Sequence, residues 1–517
     1  MAGSVDYSLY LVTDSTDAIL KGRDLPTVVR QAIQGGVTVV QYRDKTSDTG
    51  DLIRMAKELH AITKAANVPL LINDRVDVAL AIGAEGVHIG QDDMDIETAR
   101  RLLGSDKIIG VTASSVEETV AAAKAGADYL GLGTVFATPT KENTKSIVGP
   151  AGIRDMLAAL GDAFPNLKTV CIGGVNAGNA QRVLYQSSCP RRSLDGIAVV
   201  SAIVGAEDPA AAAQQLRSLV TTQPPFALRG VTEQLSSHTV AKEVPALVRR
   251  VAEVTPLCHN MTNLVVQNFA ANVALCVGGS PIMSNNGVEA PDLARHGGSL
   301  VINMGTVTPE ILANYTQALR AYNAVGGAVL LDPVGAGASS ARKDAAHTLL
   351  AAGYFDVIKG NYNEIATLAG VSSGAQRGVD ASAGPVSISD RAALCRDLAR
   401  RERNVVVMTG ATDVLSDGER TLTVRNGHHY LADITGSGCT LGTTIAAFLA
   451  VRSDDRLLAA LAALLVYEIA AERASRRPDV KGPGTFVPAF LDELYGIRKD
   501  SERGDDSWVG DALVENV

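Results

Sequence analysis

In the segment QYRDK, Gln41, Arg43 and Lys45 alternate, so an extended backbone turns all three to one side. Two cations on one face at a strand end can hold a polyanion, although ordinary surface charge has the same appearance. Asn73-Asp74-Arg75 and His88-Ile89-Gly90-Gln91-Asp92-Asp93 each place carboxylates just beyond a short apolar run. Carboxylates from successive strands can share one Mg²⁺, a hard ion that takes oxygen ligands together with a substrate phosphate. Thr138-Pro139-Thr140-Lys141 adds a polar, cationic loop. Two later runs end in Gly173-Gly174 and Val200-Ser201, where barrels often bind a phosphate through backbone N–H groups. In the second half, Asp433-Ile-Thr-Gly-Ser-Gly-Cys439 precedes a helix-compatible apolar pattern. A GxG turn at a helix N-terminus presents free N–H groups to a phosphoryl group in transfer. Asp332 in DPVG and Glu364 in KGNYNE supply carboxylates for Mg²⁺–ATP, directly or through water. No GxxxxGK[ST] occurs, which excludes a P-loop kinase.

These residues need elements that bring them to one end. Up to about residue 221, short apolar runs alternate with helical patterns: SLYLVT (8–13), VTVVQYR (37–43), LLIND (70–74), GVHIG (86–90), IIGVTA (108–113), YLGLGT (129–134), TVCIGG (169–174) and GIAVVS (196–201). Near-continuous apolar runs are what strands buried on both faces require. Helical stretches such as Asp51–Ala66 and Val116–Ala125 lie between them. Periodicity alone fits a doubly wound open sheet as well as a (β/α)₈ barrel. The polar residues favour the barrel, because Gln41, Arg43, Asn73, Asp74, Thr112, Gly174 and Ser201 cluster where runs end, and a barrel's active site sits at the carboxyl ends of its strands.

The segment TTQPPFALR breaks the pattern and sets a domain boundary, giving a first domain over 1–228 and a second over 229–498. Strand candidates in the second are SLVINMG (299–305), GAVLLD (327–332), DVIKG (356–360) and NVVVMTG (404–410), an α/β pattern with longer spacing. Gly370–Ser387 reads as a flexible insertion or long surface loop. The tail 499–517 carries six acidic residues and the only tryptophan, Trp508; it reads as disordered, or as offering Trp508 and Val509 to a partner.

Composition narrows the class. A chain of 517 residues with 46% hydrophobic residues has length for full-sized cores and is too apolar to be disordered. A net charge of −9 without a basic stripe argues against nucleic-acid binding. The six cysteines form no CxxC, so a disulfide framework is not expected and a reducing, cytoplasmic setting is. The N-terminus lacks the basic and apolar regions of a signal peptide. The longest apolar stretch, Leu457–Tyr467, falls short of the roughly 20 residues that span a bilayer, so no membrane association is expected.

The motifs QYRDK, NDR, GVHIGQDD, TPTK, IGGV and VVSAI, in that order over residues 7–215, resemble thiamine phosphate synthase, a TIM-barrel family. The resemblance implies that Arg43, Lys45, Asn73 and Lys141 bind the pyrophosphate of hydroxymethylpyrimidine diphosphate, with Gln41 at the pyrimidine. Asp74 and Asp93 would coordinate Mg²⁺. Thr138, Thr140, Gly174, Val200 and Ser201 would hold the phosphate of the thiazole substrate. Thr112 stands where bacterial relatives commonly have Ser, and keeps the hydroxyl for the pyrimidine diphosphate site.

The segment 256–283 (PLCHNMTNLVVQNFAANVALCVGGSPIM), together with DPVG, KGNYNE and DITGSGC, resembles hydroxyethylthiazole kinase of the ribokinase-like superfamily over about residues 240–495. By this resemblance Asn263, Val265 and Met283 line the thiazole alcohol pocket with Gly436. Lys359, Thr409 and Gly438 contact ATP, Asp332 and Glu364 hold Mg²⁺, and Cys439 is the catalytic residue. Many relatives carry Arg in place of Lys359; the charge survives, but a bidentate phosphate grip does not. Ser437 replaces a frequent Thr. Most ribokinase-like enzymes place Asp at the position of Cys439. A thiol near pKa 8.5, lowered at a helix N-terminus, could serve there as base, while a buried small hydrophobe is the commoner fate of a free cysteine.

The whole chain resembles the fungal-type bifunctional enzymes of thiamine biosynthesis. The kinase half would make the thiazole phosphate that the synthase half consumes. Kinases of this family form trimers with active sites at subunit contacts, so a trimeric or hexameric homo-oligomer acting on small molecules is implied.

Overall fold

The computed structural model describes residues 5–138, 147–227, 234–371 and 386–517. Thr140, Lys141 and most of the Gly370–Ser387 segment lie outside the described residues. The chain divides into two compact units between Pro224 and Pro225. Pro225 and Phe226 thus already belong to the second unit: Phe226 stacks on Tyr354 with ring centroids 4.7 Å apart, and its carbonyl accepts from Arg456 at 2.8 Å.

In the first unit, strands β1 (Leu9–Val12), β2 (Val39–Tyr42), β3 (Leu70–Asn73), β4 (Gly86–Ile89), β5 (Ile108–Ala113), β6 (Tyr129–Gly133), β7 (Lys168–Ile172) and β8 (Gly196–Val199) pair in parallel. β8 returns to β1, with Leu9 opposite Ile197, so the sheet is a closed barrel and the open-sheet alternative falls away. The strands are nearly continuous apolar runs because both faces are covered. Tyr10, Leu71, Tyr129 and Val170 fill the interior, while a second apolar shell lies between strands and helices. The helix Leu25–Gln34 shows how that shell forms: Asp24 caps it by accepting from Thr27 N at 3.0 Å, and Leu25, Val28, Val29 and Ala32 form its buried stripe.

The second unit is built on one nine-stranded sheet: β9 (Leu257–Met261), β10 (Ser280–Ile282), β11 (Ser299–Asn303), β12 (Ala328–Asp332), β13 (Val357–Asn361), β14 (Val405–Thr409), β15 (Asp413–Ser416), β16 (Thr421–Val424) and β17 (Val514–Asn516). Its order is β10-β9-β11-β12-β13-β14-β15-β16-β17, parallel through β14 and antiparallel beyond. Alternate residues face opposite layers. Val301 and Leu330 pack toward the helices Ser437–Leu449 and Arg456–Arg476, while Ile302, Val329 and Leu331 pack toward Pro309–Val325 and Ser340–Ala352. The apolar stretch Leu457–Tyr467 is fully buried inside Arg456–Arg476. Among the described residues no helix is long and apolar enough to cross a membrane.

The tail is not disordered, contrary to its composition. The helix Pro483–Glu502 is followed by a 3₁₀ turn at Ser507–Asp511 and then by β17, which pairs with β16 through Val514 opposite Val424. Trp508 docks on its own unit rather than on a partner. It is 1% exposed, and its indole N–H donates to Ser501 Oγ at 2.8 Å. The acidic residues are not a repelling run, because Asp506 pairs with Arg249, Asp500 with Arg503 and Glu515 with Arg425. Trp508→Ala is therefore expected to destabilise the second unit by about 3–5 kcal/mol, the usual cost of truncating a buried large aromatic. Urea unfolding followed by a probe in that unit measures this, and an unchanged midpoint contradicts the docking.

Candidate functional site

At the barrel, the chain leaves β2 and β3 carrying opposite charges. Lys45 Nζ lies 3.2 Å from Asp74 Oδ2, and Arg43 Nη1 lies 3.4 Å from Asp14 Oδ2. Asp74 follows β3 with φ of 63°, a left-handed conformation that a non-glycine residue rarely adopts. Its backbone N–H donates to the His88 carbonyl at 2.9 Å, which ties the turn to β4. Burial first, and then the neighbouring Asp93 carboxyl, push the Asp74 carboxyl up, with Lys45 opposing. Asp93 itself accepts from Gly90 N at 2.7 Å. Asn73 ends β3 one residue earlier.

Two more positions complete this end of the barrel. Gly174, beyond β7, has φ of 67°, and a Cβ there would come within 2.8 Å of Phe136 Cβ, so only glycine fits. After β8, Val200 precedes the one-turn helix Ser201–Val204, whose first N–H groups have no intrahelical acceptors. Thr138 lies at the edge of the described residues, ahead of Thr140 and Lys141.

Inside the barrel, a hydrogen-bonded row links two of the sequence-derived positions. Gln41 Nε2 donates to Tyr10 Oη at 2.8 Å, Tyr10 Oη meets Tyr129 Oη at 2.7 Å, and His88 joins Tyr129 Oη at 2.7 Å to Thr112 Oγ1 at 2.8 Å. Gln41 and Thr112 are thus oriented by three residues that the sequence reading did not single out.

In the second unit, the strand ends converge on the GSG turn. Asp332 closes β12 and is 1% exposed, with Oδ2 held by Lys359 Nζ at 3.2 Å and Asn303 Nδ2 at 2.9 Å. Lys359, on β13, also donates to the Gly438 carbonyl at 2.7 Å. Its ammonium is therefore engaged inside the protein. Gly436 has φ of 91° and precedes the helix Ser437–Leu449. A Cβ on Gly436 would lie 2.5 Å from Val266 Cγ1. Cys439 Sγ is 3.6 Å from Asn263 Nδ2. Burial, and then Asp332, push the Cys439 thiol up to about 11, so it stands protonated at neutral pH in the ligand-free protein. Glu364 accepts from Gly335 N and from Asn361 N, both at 2.8 Å, which completes a capping box on the helix Tyr362–Ala369. Thr409 ends β14 and donates to the Gly360 carbonyl at 3.4 Å. Val265 is 72% exposed, and Met283 is half-buried just after β10.

The comparisons with known proteins agree with this division. The Thiamine monophosphate synthase family model matches residues 9–203, and the Hydroxyethylthiazole kinase family model matches 248–500. The chain is 42% identical to the "Probable thiamine biosynthetic bifunctional enzyme" of Schizosaccharomyces pombe, with 100% of both chains covered. It is 40% identical to the "Thiamine biosynthetic bifunctional enzyme" of Saccharomyces cerevisiae, covering 95% of this chain and 96% of that one. The chain belongs to the bifunctional thiamine biosynthetic enzymes. It carries a thiamine-phosphate synthase domain on a TIM barrel and a hydroxyethylthiazole kinase domain of ribokinase-like fold, with ATP as the kinase's co-substrate.

Among the described residues no three His, Cys, Asp or Glu side chains converge as a self-sufficient metal cage in this bifunctional enzyme. Each domain instead brings two carboxylates, a donor set that fits a cation whose remaining ligands are phosphate oxygens and water. Asn303, which touches both Asp332 and Asn263, is a residue that the sequence reading missed. Its signal was available: it ends the run SLVIN and pairs in register with Asp332, which ends AVLLD.

Burial, and then Asp332, push the Glu364 carboxyl from 4.5 up to about 7. Between those values the metal-free fold retains a proton that the unfolded chain has released. This group's contribution to kinase-domain stability is complete below pH 4.5 and declines as pH rises towards about 7. The difference in urea stability between the metal-free wild type and Glu364→Gln is expected to fall across that window. A difference that stays flat contradicts the shifted carboxyl.

Proposed function

We propose that the kinase domain phosphorylates 4-methyl-5-(2-hydroxyethyl)thiazole with ATP. The synthase domain then joins the thiazole phosphate to 4-amino-2-methyl-5-hydroxymethylpyrimidine diphosphate, giving thiamine phosphate and pyrophosphate. The observation that carries this reading is that each domain gathers two carboxylates, a lysine and glycine-turn N–H groups at the carboxyl ends of parallel strands.

In the synthase, Arg43, Lys45, Asn73 and Lys141 bind the pyrophosphate, while Gln41 and Thr112 meet the pyrimidine. Asp74 and Asp93 would hold Mg²⁺, which would neutralise charge on the leaving group. Gly174, Val200 and Ser201, with Thr138 and Thr140, take the thiazole phosphate. Pyrophosphate leaves with the electrons of the C–O bond, and the thiazole nitrogen lone pair makes the new C–N bond. No proton has to move, so the protein's work is to bind, orient and offset charge.

In the kinase, Asn263, Val265, Met283 and Gly436 form the alcohol pocket, with Lys359, Thr409 and Gly438 on the ATP side. Asp332 and Glu364 fit Mg²⁺ by the same donor chemistry. Cys439 lies beside the reacting hydroxyl. Its high thiol pKa argues against a resident thiolate base, and a loose phosphoryl transition state needs little base strength. The family resemblance supports a trimer or hexamer built on subunit contacts, in which the exposed Leu264, Val265 and Val288 would be available for burial. All six cysteines are free thiols, which supports a cytoplasmic setting.

Asp74→Ala is expected to lower thiamine phosphate formation by at least about 100-fold, the scale of losing one charge-stabilising group, with kinase turnover unchanged. Cys439→Ala is expected to do the reverse, slowing the kinase and sparing the synthase. Steady-state assays of each half-reaction test both variants; normal synthase turnover in Asp74→Ala sinks the synthase assignment.

A further inference from the structure

Asn303 is fully buried, at the end of β11. Its Oδ1 accepts from Gly305 N at 3.0 Å, and a backbone N–H can only donate, so the amide's orientation is fixed. Its Nδ2 must then face Asp332 Oδ2 at 2.9 Å. Asn263 is fixed in the same manner. Its Oδ1 accepts from Val265 N at 3.2 Å, so its Nδ2 points to Asn303 Oδ1 at 3.0 Å and to Cys439 Sγ at 3.6 Å. One buried amide therefore donates to a carboxylate and accepts from a pocket amide, and that pocket amide in turn reaches the thiol at the GSG turn. The backbone beneath it is also held: Tyr315 Oη donates to the Asn303 carbonyl at 2.8 Å, and Arg342 binds the carbonyls of Met304 and Gly305 at 2.9 and 2.8 Å.

We propose that Asn303 is a positioning residue of the kinase reaction, which aims Asn263 and Asp332 and fixes Cys439 without touching substrate. The proposal rests on the kinase reading above and extends it to a residue outside the pocket. The need for such a residue is physical. Asp332 is buried and receives Lys359 on one side only, and a carboxylate in that setting requires further donors to keep one geometry. Asn263, in turn, would have an unpaired N–H if the Asn303 oxygen were removed.

The test is a double-mutant cycle in the full chain, using Asn303→Leu, Asn263→Leu and both together. Kinase kcat and the KM for hydroxyethylthiazole and for ATP are measured, alongside urea midpoints of the kinase domain. Wild-type turnover is established first, and its absence would count against the kinase reading rather than against Asn303. Asn303→Leu is expected to reduce kcat by about 10- to 100-fold, the range for groups that orient a first layer of ligands, with the KM for ATP within about twofold. The double variant is expected to be no slower than the slower single variant, because Asn303 acts through Asn263 and its neighbours. If Asn303→Leu fails to fold, Asn303→Ser replaces it in the cycle; its hydroxyl can reach the Gly305 N–H or Asp332, but not both. Retention of kcat within about threefold overturns the proposal, as does a double variant whose loss is the product of the two single losses.

Discussion

Parallel strands all end on the same side, and that geometric constraint underlies both halves of this enzyme. At the carboxyl end of each strand the chain must turn toward a helix, leaving backbone N–H groups and short polar side chains outside the apolar layers. In the barrel this places Lys45, Asp74 and Asp93 at one end with the Gly174 turn and the Ser201 helix. In the kinase domain it puts Asn303, Asp332 and Lys359 opposite the GSG turn. A protein with net charge −9 can therefore bind anionic substrates, since local placement of cations and N–H groups outweighs a distant acidic surface screened by salt.

The two halves meet the cost of burying charge differently. Asp74 and Lys45 are partly exposed and can exchange partners when a polyanion arrives. Asp332 is almost completely buried, which pushes its carboxyl up, and Lys359 and Asn303 converge on it and oppose that shift. Removing one member of such a set is more damaging than the set is stabilising, because the remainder is left unpaired. The strand ends of the kinase domain are thus held by buried partners, whereas Lys45 and Asp74 stand partly exposed at the end of the barrel.

The apolar strands were legible because burial on both faces demands continuous hydrophobic runs, and all eight barrel runs contain strands. β15, β16 and β17 were not, since each is only three or four residues long and half or more of those are polar, which leaves no continuous apolar run. The tail misled for a related reason: composition counted its acids but could not show that arginines from distant segments meet them, nor that Trp508 has a slot. Site residues at strand ends were readable because chemistry restricts their types. Tyr10, His88 and Tyr129 were hidden within strand runs, where a polar residue gives no sign of facing the barrel interior. Lys359 shows the opposite limit: its charge was readable, but not that Asp332 and the Gly438 carbonyl would engage it.

One chain thus combines two separate phosphate chemistries, the product of the first being a substrate of the second. Isotope fate in a single reaction tests it most directly, with hydroxyethylthiazole, pyrimidine diphosphate and ATP labelled at the γ-phosphate. The label is expected in thiamine phosphate, while a label placed in the pyrimidine's diphosphate is expected only in released pyrophosphate. Label passing from the pyrimidine diphosphate into thiamine phosphate, or none arriving from ATP, would contradict the account.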